Sequence, residues 1–115
     1  MTKEEFEKWN DPNKSSQYTV VERNADKSLK SVWYHEKYAA QIKKASDLLL
    51  NAAGLAEDAG LKKYFTLRAK ALLTDDYFES DMAWMEMKTN TIDMVVGPIE
   101  NYEDELFGYK AAHEG

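Results

Sequence analysis

With 115 residues, 43% of them hydrophobic, and no cysteine, the chain is long enough for one hydrophobic core and excludes both disulfides and thiolate metal sites. Its formal net charge of −6 is uneven: residues 1–74 hold 13 Lys/Arg and 10 Asp/Glu, whereas residues 75–115 hold 2 and 11, the reverse of the basic face that a nucleic-acid surface needs. No stretch approaches the ~20 apolar residues of a membrane span, and the start MTKEEFEKWN has no apolar core of signal-peptide length, so the expectation is one soluble, cytoplasmic module over residues 1–115 with neither nucleic acid nor membrane as partner.

In chain order, Thr2 is placed to cap a short helix over Lys3–Trp9, which Asn10-Asp11-Pro12-Asn13 ends with turn-forming residues. Residues 10–32 read as irregular, apart from a brief strand at Tyr18-Thr19-Val20-Val21. From Tyr34 the apolar positions Tyr34, Tyr38, Ile42, Ala45, Leu49, Ala52 and Ala56 fall three and four apart, the spacing of one buried helical face. The helix should end between Gly54 and Gly60. A second helix over Glu57–Leu73 aligns Leu61, Phe65, Ala69 and Leu72, so the two predict a helical hairpin.

Thr74-Asp75-Asp76 then opens a third helix, with Asp76 and Glu79 spaced as a capping box and Phe78, Met82 and Met85 as its apolar edge. The run Ile92-Asp93-Met94-Val95-Val96 reads as a strand ending at Gly97-Pro98, and a second extended piece is expected over Leu106–Ala112. The predicted class is mainly α, α+β: a helical hairpin and a third helix with a short C-terminal two-stranded β element. An apolar strand such as Met94-Val95-Val96 with an open edge further predicts self-association.

His-Glu pairs invite a zinc-helix reading, which the spacing refuses. His35-Glu36 has Ala39 where an HExxH helix needs its second His, and His113-Glu114 is followed only by Gly115. Both His residues therefore read as surface or boundary positions, and no metal ligand is expected. Asp75, Asp76, Glu79 and Asp81 read as helix-cap and first-turn acids. Glu100, Glu103, Asp104 and Glu105 read as a solvated acidic turn, although a carboxylate exposed between rigid flanks can also receive a cation or an ammonium group. Trp33, Trp84 and the five Met residues read as core.

The run Thr74-Asp75-Asp76-Tyr77-Phe78-Glu79-Ser80-Asp81, then Trp84-Met85, Ile92-Asp93 and above all Gly97 to Lys110 (GPIENYEDELFGYK), resembles the dipeptidyl peptidase III family of zinc peptidases, nearest to its microbial and plant branch, some of whose members carry a Nudix module. The likeness extends back through Ser31–Tyr38. By that resemblance, Glu100 corresponds to the acid that receives the free amino terminus of a peptide substrate. Tyr102 corresponds to the tyrosine whose hydroxyl contacts the carbonyl at the scissile bond. Glu103-Asp104-Glu105-Leu106-Phe107 departs from the Arg-Asp-Pro-like continuation of better-known members.

The family's zinc helix and downstream Glu ligand are not spelled in residues 1–115, so the resemblance implies a substrate-cleft fragment of a larger two-lobed enzyme. Zinc would belong to the parent, and the fragment alone would not hydrolyse peptides. The competing expectation is a non-enzymatic helical module that binds a protein partner through exposed aromatics and the acidic turn.

Overall fold

The computed structural model describes residues 1–115, a body of 51 × 24 × 20 Å. Its first helix, α1 (Lys3–Lys8), starts where Thr2 Oγ1 accepts from the Glu5 amide at 3.1 Å, with Glu4 and Glu5 in the first turn facing the positive end of the helix dipole. At its other end Lys14 Nζ donates to the carbonyls of Phe6, Glu7 and Trp9 at 3.0, 3.1 and 2.7 Å, gathering oxygens at the helix C-terminus onto one ammonium.

The brief strand expected at Tyr18–Val21 is present and longer, and the stretch after it, expected to be irregular, supplies its partner in a β-hairpin. Strand β1 (Thr19–Arg23) pairs antiparallel with β2 (Leu29–Trp33), in the register Thr19↔Trp33, Val21↔Ser31 and Arg23↔Leu29. Asp26 closes the turn by accepting from the Ser28 amide at 3.0 Å, beside Lys27 at φ +69°. The expected helix from Tyr34 is broken at Tyr38 into α2 (Tyr34–Lys37) and α3 (Ala39–Leu55). Tyr34 is held down by its hydroxyl, which donates to the Ala111 carbonyl at 2.7 Å, and Tyr38 is left exposed.

Helix α4 (Ala59–Thr74) begins where Asp58 Oδ1 accepts from the Leu61 amide at 2.9 Å. It packs on α3 as the predicted hairpin, burying Ile42 and Leu49 of one helix against Leu61, Phe65, Ala69 and Leu72 of the other. Ser46 enters this apolar interface at no polar cost, because its hydroxyl donates to the Ala69 carbonyl at 2.9 Å.

The third helix is α5 (Phe78–Glu86), and the expected capping box does not form: its N-cap is Tyr77, with no side-chain bond. Asp75 instead ends α4 in the left-handed region, at φ 57° and ψ 20°, which turns its carboxylate inward. Met1, Met82, Trp84, Met85 and Met94 are exposed rather than core, and the edge formed by Phe78, Met82 and Met85 meets solvent.

Residues 92–96 form no strand. Pairing starts at Gly97, where β3 (Gly97–Glu100) meets β4 (Ala112–Glu114) antiparallel through Gly97↔Glu114, Pro98↔His113 and Glu100↔Ala112, with a register shift at Ile99. Gly97 is required here: at φ +138° a side chain is strained, and a Cβ would lie 3.3 Å from Arg68 Nη1. Most of the expected second extended piece, residues 106–111, is turn and loop. The mainly α, α+β class is borne out, with a second hairpin at the N-terminal side. No helix is long and apolar enough to cross a membrane.

Candidate substrate-cleft loop

Glu100 is the last residue of β3 and is half-buried. Tyr102 lies beyond the strand in a turn, with 81% of its surface exposed, so the strand alternation that would put both side chains on one face does not extend to it. Across those two residues the Glu100 carboxylate pushes the Tyr102 phenol pKa up. The pair therefore combines a carboxylate, able to receive an ammonium, with a protonated phenol, able to donate to an oxygen that gains negative charge.

The segment after Tyr102 has no regular secondary structure, yet its backbone is closely tied. Asp104 accepts from four amides, those of Leu106 (3.0 Å), Phe107 (3.4 Å), Tyr109 (2.8 Å) and Lys110 (3.0 Å). Asn101 Nδ2 donates to the Gly108 carbonyl at 2.6 Å, and Gly108 takes φ +71° to close the loop. Lys110 Nζ then reaches the N-terminal segment, donating to Lys14 O, Ser16 O and Thr19 Oγ1 at 2.7, 2.9 and 2.8 Å. Phe107 stacks on Tyr109 at 7° and 5.4 Å, and Phe6 packs on Phe107 at 4.7 Å.

Asp104 is thus the frame of the loop rather than one more solvated acid, and Lys110, which the sequence reading included only as the end of the run resembling the family, carries a structural role that reading did not assign. The local signal was an Asp four residues before Gly108, a spacing that favours side-chain bonds to following amides.

Burial alone would raise the Asp104 carboxyl, but its four amide donors outweigh that and hold its pKa below the ordinary aspartate value. The folded loop therefore binds the proton more weakly than the unfolded chain does. Its stabilising contribution is complete above the unfolded value near 3.8 and is lost as pH falls through the folded value. Amides 106–110 should lose protection from hydrogen exchange over that acid window in the native chain. In Asp104→Asn their protection should be weak already at neutral pH and insensitive to the same acid step.

Of the sequence-read acids elsewhere, Asp75 has a fully buried side chain whose Oδ2 accepts from the His35 amide at 3.0 Å and lies 2.7 Å from His35 Nδ1. Because a carboxylate only accepts, Nδ1 carries the proton in that contact. Asp81 forms an ion pair with Arg68, which is itself buried against the rings of Tyr64 and Tyr77 at 5.4 and 5.1 Å. His113 sits on β4 with its ring 5.2 Å from that of Tyr34, and burial lowers its pKa.

The two histidines are engaged separately, and nowhere do three His, Asp or Glu side chains gather as a metal-holding group. Beside β4 a groove of about 570 Å³ runs between Tyr38, Ile42 and Ala45 of the helical layer and Val96, Ala112 and His113.

No protein-family model matches the chain. It is 43% identical over 100 residues to Nudix hydrolase 3 of Arabidopsis thaliana, a match covering 87% of this chain and 13% of that protein. The solved structure of DPP III from Caldithrix abyssi superposes with a TM-score of 0.94 at 45% identity, over 98% of this chain and 22% of that one. Dipeptidyl-peptidase III from Corallococcus sp. strain EGB superposes with a TM-score of 0.87 at 32% identity, over 94% and 20%. The chain therefore spans between an eighth and a quarter of the length of the relatives it matches.

Proposed function

Residues 1–115 make up a dipeptidyl peptidase III-like segment, and from that premise we propose that they supply one wall of the substrate cleft in a zinc-dependent peptidase. Zinc ligands come from chain outside residues 1–115. Glu100 receives the free amino terminus of a peptide, and the Tyr102 hydroxyl donates to the carbonyl oxygen at the bond being cut. The observation that carries this reading is the placement of the two groups: a half-buried carboxylate on the last residue of β3 and an exposed phenol two residues beyond it.

The chemistry of each member suits its role. An ammonium beside a carboxylate forms a charge-assisted hydrogen bond. The phenol is poised to strengthen its bond as the carbonyl oxygen becomes an oxyanion. The uncovered Phe78, Met82 and Met85 edge of α5 supports the alternative of a helical protein-interaction module. In a chain four to five times longer, the same edge is a packing face for the rest of the enzyme, so it does not favour that alternative.

Substrate preference provides the test. In a full-length enzyme containing this segment, Glu100→Gln should weaken hydrolysis of peptides with a free amino terminus and spare amino-blocked ones, since only the former present an ammonium. Loss of a hydrogen bond to a charged group corresponds to about 1.5–3 kcal/mol, or roughly 10- to 150-fold in kcat/KM. An unchanged ratio between free and blocked peptides would remove Glu100 from that role.

A further inference from the structure

We propose that Asp104 and Lys110 are positioning residues, a two-part clasp that fixes the loop bearing Tyr102 relative to Glu100; the functional meaning of that placement rests on the reading above. Tyr102 is 81% exposed, and nothing in the helical core packs on it. Its place must therefore come from the backbone of residues 101–110, which has no ladder or helix to fix it. Asp104 and Lys110, with the Asn101 bond to the Gly108 carbonyl inside the loop, replace that missing regular structure.

Donor and acceptor numbers match in both halves of the clasp. A carboxylate has about four lone-pair sites, and the Asp104 carboxylate meets four backbone N–H groups. An ammonium has three donors, and Lys110 Nζ meets three oxygens. Asp104 shapes the loop from within. Lys110 fastens its far end to residues 14–19, where the Ala111 amide adds a bond to the Gln17 carbonyl at 2.9 Å. The interior of the loop is consequently filled by its own amides, and the tip side chains Tyr102, Glu103 and Glu105 are left facing outward.

The substitution Asp104→Asn separates positioning from folding. It keeps the size of the side chain but replaces one acceptor oxygen with an NH2 that confronts amide donors. Lys110→Met keeps the apolar stem and removes all three donors. Heteronuclear NMR of the 115-residue chain at neutral pH reads the result, through the backbone order parameter at Tyr102 and the Overhauser contacts between its ring and the Glu100 methylenes.

In the unaltered chain the order parameter should lie near the rigid value of about 0.85, and in either variant it should fall below about 0.6. The Tyr102–Glu100 contacts should vanish while amides of α3 and α4 keep their values. Persistence of the contacts and of the order parameter in Asp104→Asn overturns the proposal. So does loosening of α3 and α4 to the same extent as the loop, or failure of both variants to fold, since either would make the clasp a general structural element. The measurement needs no substrate: if the free-versus-blocked peptide test fails, the functional reading falls while this result stands.

Discussion

Tyr102→Phe in a full-length enzyme is expected to lower kcat about 100- to 1,000-fold, with little change in KM. The substitution removes one oxygen and nothing that packs, because the ring is 81% exposed. If the hydroxyl bonds the substrate carbonyl chiefly once that oxygen becomes an oxyanion, its loss costs the transition state alone, about 2.7–4 kcal/mol on the scale of a missing oxyanion donor. Steady-state kinetics would show kcat and kcat/KM falling together. A rise in KM with kcat intact would place Tyr102 in ground-state binding instead, and unchanged kinetics would take it out of the cleft. The unfolding midpoint should be the same in both proteins, as expected for an exposed hydroxyl.

The largest effect on stability is expected at Tyr64. It has no exposed surface, lies in the centre of the α3–α4–α5 core, and stacks on the buried Arg68 guanidinium. Tyr64→Ala should cost about 3–5 kcal/mol, a third or more of the stability of a domain of this size. Tyr64→Phe should cost only about 1 kcal/mol, since it removes the single bond that the Tyr64 hydroxyl accepts from the Val96 amide at 3.3 Å. Urea unfolding of both variants checks the pair. Near-equal midpoints would mean that the cavity collapses or that the core is centred elsewhere.

That bond also explains where sequence patterns were legible and where they were not. The α3–α4 hairpin was readable because its stripe repeats every three to four residues over more than thirty positions, and Leu61, Phe65, Ala69 and Leu72 of that stripe are all buried. Met94-Val95-Val96 has strand-like residues but no partner strand. A single side chain, Tyr64, ties the amide of Val96, and pairing begins only where Gly97 can take φ +138° against Arg68. Propensity at 94–96 lost to a tertiary contact thirty residues upstream in sequence.

Asp75 and Asp76 misled for a related reason. Two adjacent acids before a helix look like caps, but which of them points outward depends on the left-handed turn at Asp75, fixed by burial of its carboxylate against His35, 40 residues away. The first strand of the β1–β2 hairpin was legible in its β-branched run, but the second was missed because LKSVW offers little alternation of its own and gains its identity by pairing with TVVER.

The candidate site divides in the same way. Glu100 and Tyr102 came from likeness to a family and from the chemistry of a carboxylate beside a phenol. The clasp around them did not, because Lys110 meets its acceptors 91 to 96 residues away, a separation that no local window contains.

Those three bonds have a consequence for how the molecule assembles. Contacts within the α3–α4 hairpin join residues close in the chain, whereas Lys110 must find oxygens on residues 14, 16 and 19, which lie 91 to 96 positions earlier. Joining such distant residues carries the full loop-closure entropy, and only contacts made after the core is in place lower it. The loop of residues 101–110, held by such bonds and by no helix or ladder of its own, is therefore expected to open at a lower free energy than the helices beneath it.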